Sequence, residues 1–326
     1  MALTVDRAMI SITSDSDASA LFETGKLNVT VLTAKTGNEA SQPPKPVLIV
    51  SPTDVGTYPV LLFVHGFFLQ NHYYTELLRH ISSHGFIVVA PQLFSILPEC
   101  STEDLTSVAA VTNWLPVGLQ SILPTNVKPN FEKLTLSGHS RGGQTAFALA
   151  LGHAQTSLKF TALIGVDPVA GMSETSQVEP KILTYEPASF KLDHMPVLVI
   201  GSGLGEESIN CLAPACAPEG VNHKEFYYEC QSPCYHFVVT KYGHMDVLNN
   251  NALNLVTKCI CKNGKCRDIM RRCTAGITVA FLKAYTEEEA GYLNHILSKP
   301  EIAPGELDPV ESRQGMKSLG KFCQKN

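Results

Sequence analysis

Between residues 59 and 244 the chain alternates short, almost wholly apolar runs with stretches whose apolar residues recur at helical spacing. Runs such as PVLLFVHG (59–66), FIVVAPQ (86–92), FTALIGVDPV (160–169), PVLVIGSG (196–203) and YHFVVTKYGH (235–244) have strand length and show no polar face. That pattern predicts strands covered on both sides. TELLRHISSHG (75–85) reads as an amphipathic helix ended by Gly85, and DLTSVAAVTNWLPVGLQSIL (104–123) as a helix interrupted near Pro116. A last long helix is expected from about Cys266 to Thr286. Strand and helix in alternation indicate an α/β domain with a mostly parallel sheet and crossover helices.

Ahead of this region LNVTVLTAK (27–35) and KPVLIVSP (45–52) predict an antiparallel lead-in pair. No internal repeat or linker divides the chain. Residues 27–290 are therefore expected to form one domain, preceded by a flexible segment at 1–26. The Pro-bearing, mixed-charge stretch at 291–326 is expected to be a loosely attached extension.

Composition narrows the partners. Of the 326 residues 44% are apolar and the formal charge is −5, with the basic residues scattered rather than striped. These features argue against nucleic acid as a partner. The longest apolar stretches fall well short of the roughly 18–20 residues that span a bilayer, so no transmembrane helix is expected. All ten cysteines lie at or beyond residue 100. Cys259, Cys261, Cys266 and Cys273 match no usual zinc spacing, which favours disulfides or buried thiols over a metal site. A local bridge such as Cys211 with Cys216 is one option.

The stretch LTLSGHSRGGQTAFALALG (134–152) carries the strongest chemical signal. A bare G-x-S-x-G arises by chance in roughly one chain in ten of this size at average residue usage. Here the strand end Leu134–Leu136 precedes it and the helix-forming run Thr145–Ala150 follows, the setting of a nucleophile elbow. Gly138 and Gly142 supply the small residues that a sharp turn around Ser140 requires. In such a turn the backbone N–H of Arg141 faces the oxyanion of a tetrahedral intermediate. A second donor is expected from the loop after an earlier strand, which points to the N–H of Phe67 in VLLFVHGFF.

Serine needs a base. Among eleven histidines His244 in KYGHMD lies beyond the last core strand, where the order Ser, acid, His places it; His236 is the runner-up, and His139 is expected to point away. The acid is either Asp167, directly after the strand TALIGV, or Glu206 or Glu207 after PVLVIGSG. GSGLG lacks the third glycine of a dinucleotide fingerprint and reads as a turn.

GHSRGG, IGVDPVAG and YGHMD, with FVHGF, SHGFIVVAPQL, CAPEGVNHKEFYYEC and CICKNG, resemble the plant chlorophyllases over about residues 44–286. The resemblance implies an α/β-hydrolase fold, a mostly parallel central sheet flanked by helices on both faces. It implies a triad of Ser140, Asp167 and His244, and hydrolysis of the phytyl ester of chlorophyll to chlorophyllide and phytol, with no metal or organic cofactor. Such a substrate needs an apolar mouth, for which Phe68, Leu69 and Leu97, and the segment 204–235, are candidates. It also implies access to chlorophyll-bearing membranes, with peripheral contact, and the chloroplast as compartment. The acidic N-terminus does not read as a transit peptide, so cytosol, endoplasmic reticulum and vacuole stay open. A general carboxylesterase or lipase shares every catalytic part, and a non-catalytic hydrolase-fold binding protein is a third reading.

Overall fold

The computed structural model describes residues 14–94, 101–209, 214–252 and 260–314. Its centre is a nine-stranded sheet. In chain order the strands are β1 (Val29–Ala34), β2 (Val47–Pro52), β3 (Gly56–Val64), β4 (Ile87–Pro91), β5 (Val127–His139), β6 (Ala162–Val166), β9 (Val197–Ser202), β10 (Cys234–Val239) and β11 (Leu307–Arg313); β7 (Gly171–Ser173) and β8 (Ser176–Gln177) make a separate ribbon. The spatial order is β1-β2-β4-β3-β5-β6-β9-β10-β11. Pairing is parallel from β4 to β10 and antiparallel at β1-β2, β2-β4 and β10-β11.

Both faces of the inner strands are apolar, and each face has its own core. Leu61 and Phe63 of β3 and Leu198 and Ile200 of β9 point to one face. There they meet α2 (Thr75–Ser83), α6 (Arg267–Thr286) and α7 (Gly291–Ser298) through Leu78, Ile277, Phe281 and Ile296. The alternate residues Val60, Leu62, Val197 and Val199 meet α3 (Ser101–Gly118), α4 (Arg141–Ala150) and α5 (His223–Glu229) through Val108, Leu115, Phe147 and Phe226. Two covered faces are why these strands read as unbroken apolar runs rather than alternating ones. Among the described residues no helix is long and apolar enough to cross a membrane.

Three expectations are corrected. α3 runs unbroken through Pro116, because the proline sits in the last turn, where one missing donor disrupts little, and burial of Leu105, Val108, Val111, Trp114 and Leu115 holds the helix. The N-terminal segment is not wholly flexible: α1 (Asp15–Ser19) leads to Leu21 and Phe22, both buried, and Phe22 packs against Gly276 of α6 where a side chain would collide with its ring. Nor is the stretch after 291 loosely attached as far as Arg313. Leu293 and Ile296 of α7 enter the core, and β11 pairs with β10 along Cys234↔Arg313 to Val239↔Leu307. β11 satisfies the backbone groups that β10 would otherwise expose at the sheet edge.

Parallel pairing sets the location of the chemistry. Val64 pairs with Gly138, His139 with Val166, Val166 with Ile200, and Val239 with Ser202, so the C-terminal ends of β3, β5, β6, β9 and β10 share one edge. The loops leaving that edge carry Phe67, Ser140, Asp167 and His244. In open α/β sheets this edge is where ligands bind.

Candidate active site

Ser140 stands between β5 and α4 with φ 57° and ψ −128°, a backbone conformation that only a constrained turn imposes on a residue with a side chain. Its N–H donates to the Val166 carbonyl at 3.1 Å, and its own carbonyl accepts from Gly143, Gln144 and Val169. The flanking glycines are sterically required. A Cβ on Gly138 would collide with the carbonyl of Gly142, and one on Gly142 with the carbonyls of Val64 and His65. The small residues read from the sequence therefore let α4 close onto the ends of β5 and β3.

Ser140 Oγ lies 2.8 Å from His244 Nε2, and His244 Nδ1 lies 2.7 Å from Asp167 Oδ2. A carboxylate only accepts, so His244 carries its proton on Nδ1 and presents Nε2 as the acceptor for the serine hydroxyl. Burial pushes the Asp167 carboxyl up, but the hydrogen bond and charge of His244, with the Ser202 hydroxyl, outweigh it and hold the group down at about 2. All three side chains are buried, with Asp167 at 0% exposure, so their hydrogen bonds are sheltered from water.

His244 is held by its own turn. Asp246 Oδ2 accepts from Gly243 N–H at 2.8 Å and from Gly264 N–H at 2.6 Å, tying the turn around His244 to the segment before α6. That segment is anchored by a disulfide between Cys216 and Cys261. Cys216 therefore does not take the local option of Cys211 but reaches across 45 positions; Cys211 lies outside the described residues. Cys230, Cys234 and Cys273 are buried thiols and Cys266 an exposed one. Among the described residues no group of three or more His, Cys, Asp or Glu side chains could hold a metal ion.

The loop after β3 lies against Ser140. A Cβ on Gly66 would sit 3.0 Å from that of Ser140. The peptide joining Gly66 to Phe67 has its carbonyl pinned by Leu69 N–H at 3.2 Å and by His65 Nδ1–H at 2.9 Å. Because a trans peptide directs N–H opposite to C=O, pinning the carbonyl fixes the direction of the Phe67 N–H. Burial pulls His65 down to about 4, so its ring is neutral; Nε2 accepts from Leu93 N–H at 3.0 Å, which places the ring hydrogen on Nδ1. The Arg141 guanidinium pairs with Asp104 and lies 5.1 Å from the Phe67 ring centre, so the side chains of the two residues expected to supply N–H donors touch.

Other candidates separate. His236 is buried within β10, bonded to His223 at 2.8 Å and to Glu311 at 2.8 Å. His139 donates from Nε2 to the His244 carbonyl at 3.0 Å and does not meet the serine hydroxyl. Glu206 pairs with Lys224 and Asn222. Phe67 and Phe68 form an edge-to-face pair, centroids 4.4 Å apart, and are 43% and 53% exposed beside the serine. Leu69, expected at the mouth, is instead 1% exposed, because Phe68 adopts φ 55° and the chain turns back into the core. Leu97 lies outside the described residues. Part of the 204–235 segment, with Glu206, His223 and Lys224, lines a groove of 820 Å³ shared with Glu311 and Arg313 of β11. Sequence reading missed His65, Asp246 and Ser202; the HG, HMD and GSG runs were visible, but not what their side chains would hold.

A strand-to-helix turn bearing a strained serine, on this sheet order, defines an α/β-hydrolase. The chain belongs to the chlorophyllase family, which it matches over residues 17–314, and it is an enzyme of the carboxylic-ester hydrolase class. It is 46% identical over 290 residues to Chlorophyllase-2 of Arabidopsis thaliana, covering 84% of this chain and 91% of that one. It is 47% identical over 299 residues to a protein of Citrus unshiu named Chlorophyllase-1, chloroplastic, covering 89% and 88%. To Chlorophyllase type 0 of Chenopodium album it is 44% identical over 299 residues, covering 88% and 84%.

Proposed function

We propose that the chain hydrolyses the phytyl ester of chlorophyll by acyl transfer through Ser140, His244 and Asp167. The observation that carries this reading is the chain of hydrogen bonds at 2.8 and 2.7 Å from serine to imidazole to carboxylate, at the turn where a nucleophile is exposed to an incoming carbonyl. The substrate follows from the names of the relatives. His244 Nε2 takes the hydroxyl proton as Ser140 Oγ attacks the propionate ester carbonyl. The N–H groups of Phe67 and Arg141 receive the oxyanion, and the N-terminal end of α4 adds a favourable dipole. Collapse breaks the bond to phytol, whose oxygen takes the proton from His244. Water then gives a proton to His244 and attacks the acyl-serine, releasing chlorophyllide and restoring Ser140. Asp167 keeps the imidazole in the required tautomer and stabilises the imidazolium.

Phe67 and Phe68 offer the apolar tail, and the membrane surface that holds it, a first contact beside the serine. The compartment we propose is the chloroplast, as the Citrus relative is named. The test is release of chlorophyllide from chlorophyll by the wild-type chain and by Ser140→Ala, with p-nitrophenyl butyrate as a small-ester control. Loss of both activities by several orders of magnitude in the variant is expected. Turnover of the small ester alone by the wild type would instead indicate a general carboxylesterase.

A further inference from the structure

Beneath the serine lies a buried chain of hydrogen bonds that the proposed reaction does not use. Gly66 N–H approaches Tyr74 Oη at 3.1 Å, Tyr74 Oη approaches His139 Nδ1 at 2.8 Å, and His139 Nε2 approaches the His244 carbonyl at 3.0 Å. Tyr74 and His139 are each 0% exposed.

Chemistry fixes the direction of every bond. The His244 carbonyl can only accept, so His139 carries hydrogen on Nε2. Burial first, and then the neighbouring His244, pull His139 down to about 3, so its ring is neutral and Nδ1 is a bare acceptor. Tyr74 must therefore point its hydroxyl hydrogen at Nδ1, which leaves its oxygen to accept from Gly66. Burial pushes the Tyr74 phenol up, so the hydroxyl keeps that hydrogen. The three bonds run one way, from the loop after β3, beneath the nucleophile turn, to the main chain of His244.

We propose that Tyr74 and His139 are positioning residues that hold the Phe67-bearing loop and the main chain of His244 in register on either side of Ser140. Gly66 closely approaches Ser140 and His139: an added Cβ would lie 3.0 Å from Ser140 Cβ and 3.2 Å from His139 Nδ1. The His139 and His244 rings are 4.6 Å apart, so a shift of one is felt by the other. Base and oxyanion donor act on the same tetrahedral intermediate, and their separation therefore has to be set before substrate arrives. A displacement of about 1 Å in such a pair lowers turnover by roughly a hundredfold.

This inference rests on the reaction proposed above, and the experiment separates the two. Turnover of p-nitrophenyl butyrate is measured for the wild type, Tyr74→Phe, His139→Gln and His139→Leu, with active serines counted by a fluorophosphonate so that rates are per folded site. Tyr74→Phe is expected to lower kcat per site roughly tenfold to a hundredfold with KM changed less than about threefold. His139→Gln, which keeps an N–H for the His244 carbonyl, is expected to retain more kcat than His139→Leu. If Tyr74→Phe does not accumulate folded, the two His139 variants decide. Wild-type kcat per site in Tyr74→Phe, or equal kcat in the two His139 variants, would overturn the assignment and leave these residues a purely structural role. Absence of serine-dependent turnover in the wild type would overturn the proposed reaction, and this inference with it.

Discussion

Ser202, at the end of β9, donates twice to Asp167: its N–H reaches Oδ1 at 3.1 Å and its hydroxyl reaches Oδ2 at 2.5 Å, the same oxygen that accepts from His244. Asp167 follows β6, one strand away, so the neighbouring strand completes the hydrogen bonding of a fully buried carboxylate. Ser202→Ala removes the hydroxyl while leaving the backbone N–H. A hydrogen bond to a charged group contributes about 1.5–3 kcal/mol, so kcat is expected to fall roughly tenfold or more. An unchanged kcat would show that Ser202 only packs.

Acid should destabilise the fold in two stages. Burial holds His65, His80 and His223 at about 4 and His139 at about 3, below the value near 6.5 they regain on unfolding. Below pH 6.5 the unfolded chain binds protons that the folded chain refuses, so the stability present above that pH is lost as pH falls toward 4. Each such histidine adds up to about 1.4 kcal/mol per pH unit. Asp167, held low in the folded state, continues the loss below about pH 4. Urea midpoints measured from pH 7.5 to 4 should fall steadily; a flat profile would contradict neutral buried imidazoles.

Phe68 should separate a large substrate from a small one. Its ring is 53% exposed beside the serine and can bury much of its surface only against a bulky ligand. Full burial of a phenylalanine contributes about 1.5–3 kcal/mol and about half of this ring is left to bury, so Phe68→Ser is expected to lower kcat/KM for chlorophyll roughly threefold to tenfold. Turnover of p-nitrophenyl butyrate should change less than about twofold. Equal losses on both substrates would remove Phe68 from substrate binding.

The Cys216–Cys261 bridge should support both stability and the base. Cys216→Ser is expected to lower the unfolding free energy by about 2–4 kcal/mol, and a reductant should reproduce the effect in the wild type. Because Gly264, three residues beyond Cys261, helps Asp246 hold the His244 turn, kcat should fall alongside stability. Full activity at temperatures where the reduced protein stays folded would show that the bridge acts on stability alone.

The elbow around Ser140 was legible because its requirements are local: an apolar strand, two glycines and a helix within nineteen residues. His244 and Asp167 were reachable through strand order, although residue types alone left Glu206 and Glu207 as rival acids. β11 escaped sequence reading, since LDPVESR has no apolar alternation and forms a strand by pairing its backbone with β10. Leu69 misled because an apolar residue in a loop reads the same whether its side chain turns outward or in.

The chain alone determined the alternation of elements, the strained serine between its glycines and the chemical types available to act with it, because propensity, apolar period and turn sterics operate over a few residues. The tertiary structure alone decided which groups meet. Tyr74 with His139, Ser202 with Asp167 and Cys216 with Cys261 are pairs separated by 65, 35 and 45 positions. Such partnerships depend on how strands order themselves in the sheet, and buried polar groups settle on whichever partner that order brings within hydrogen-bond reach.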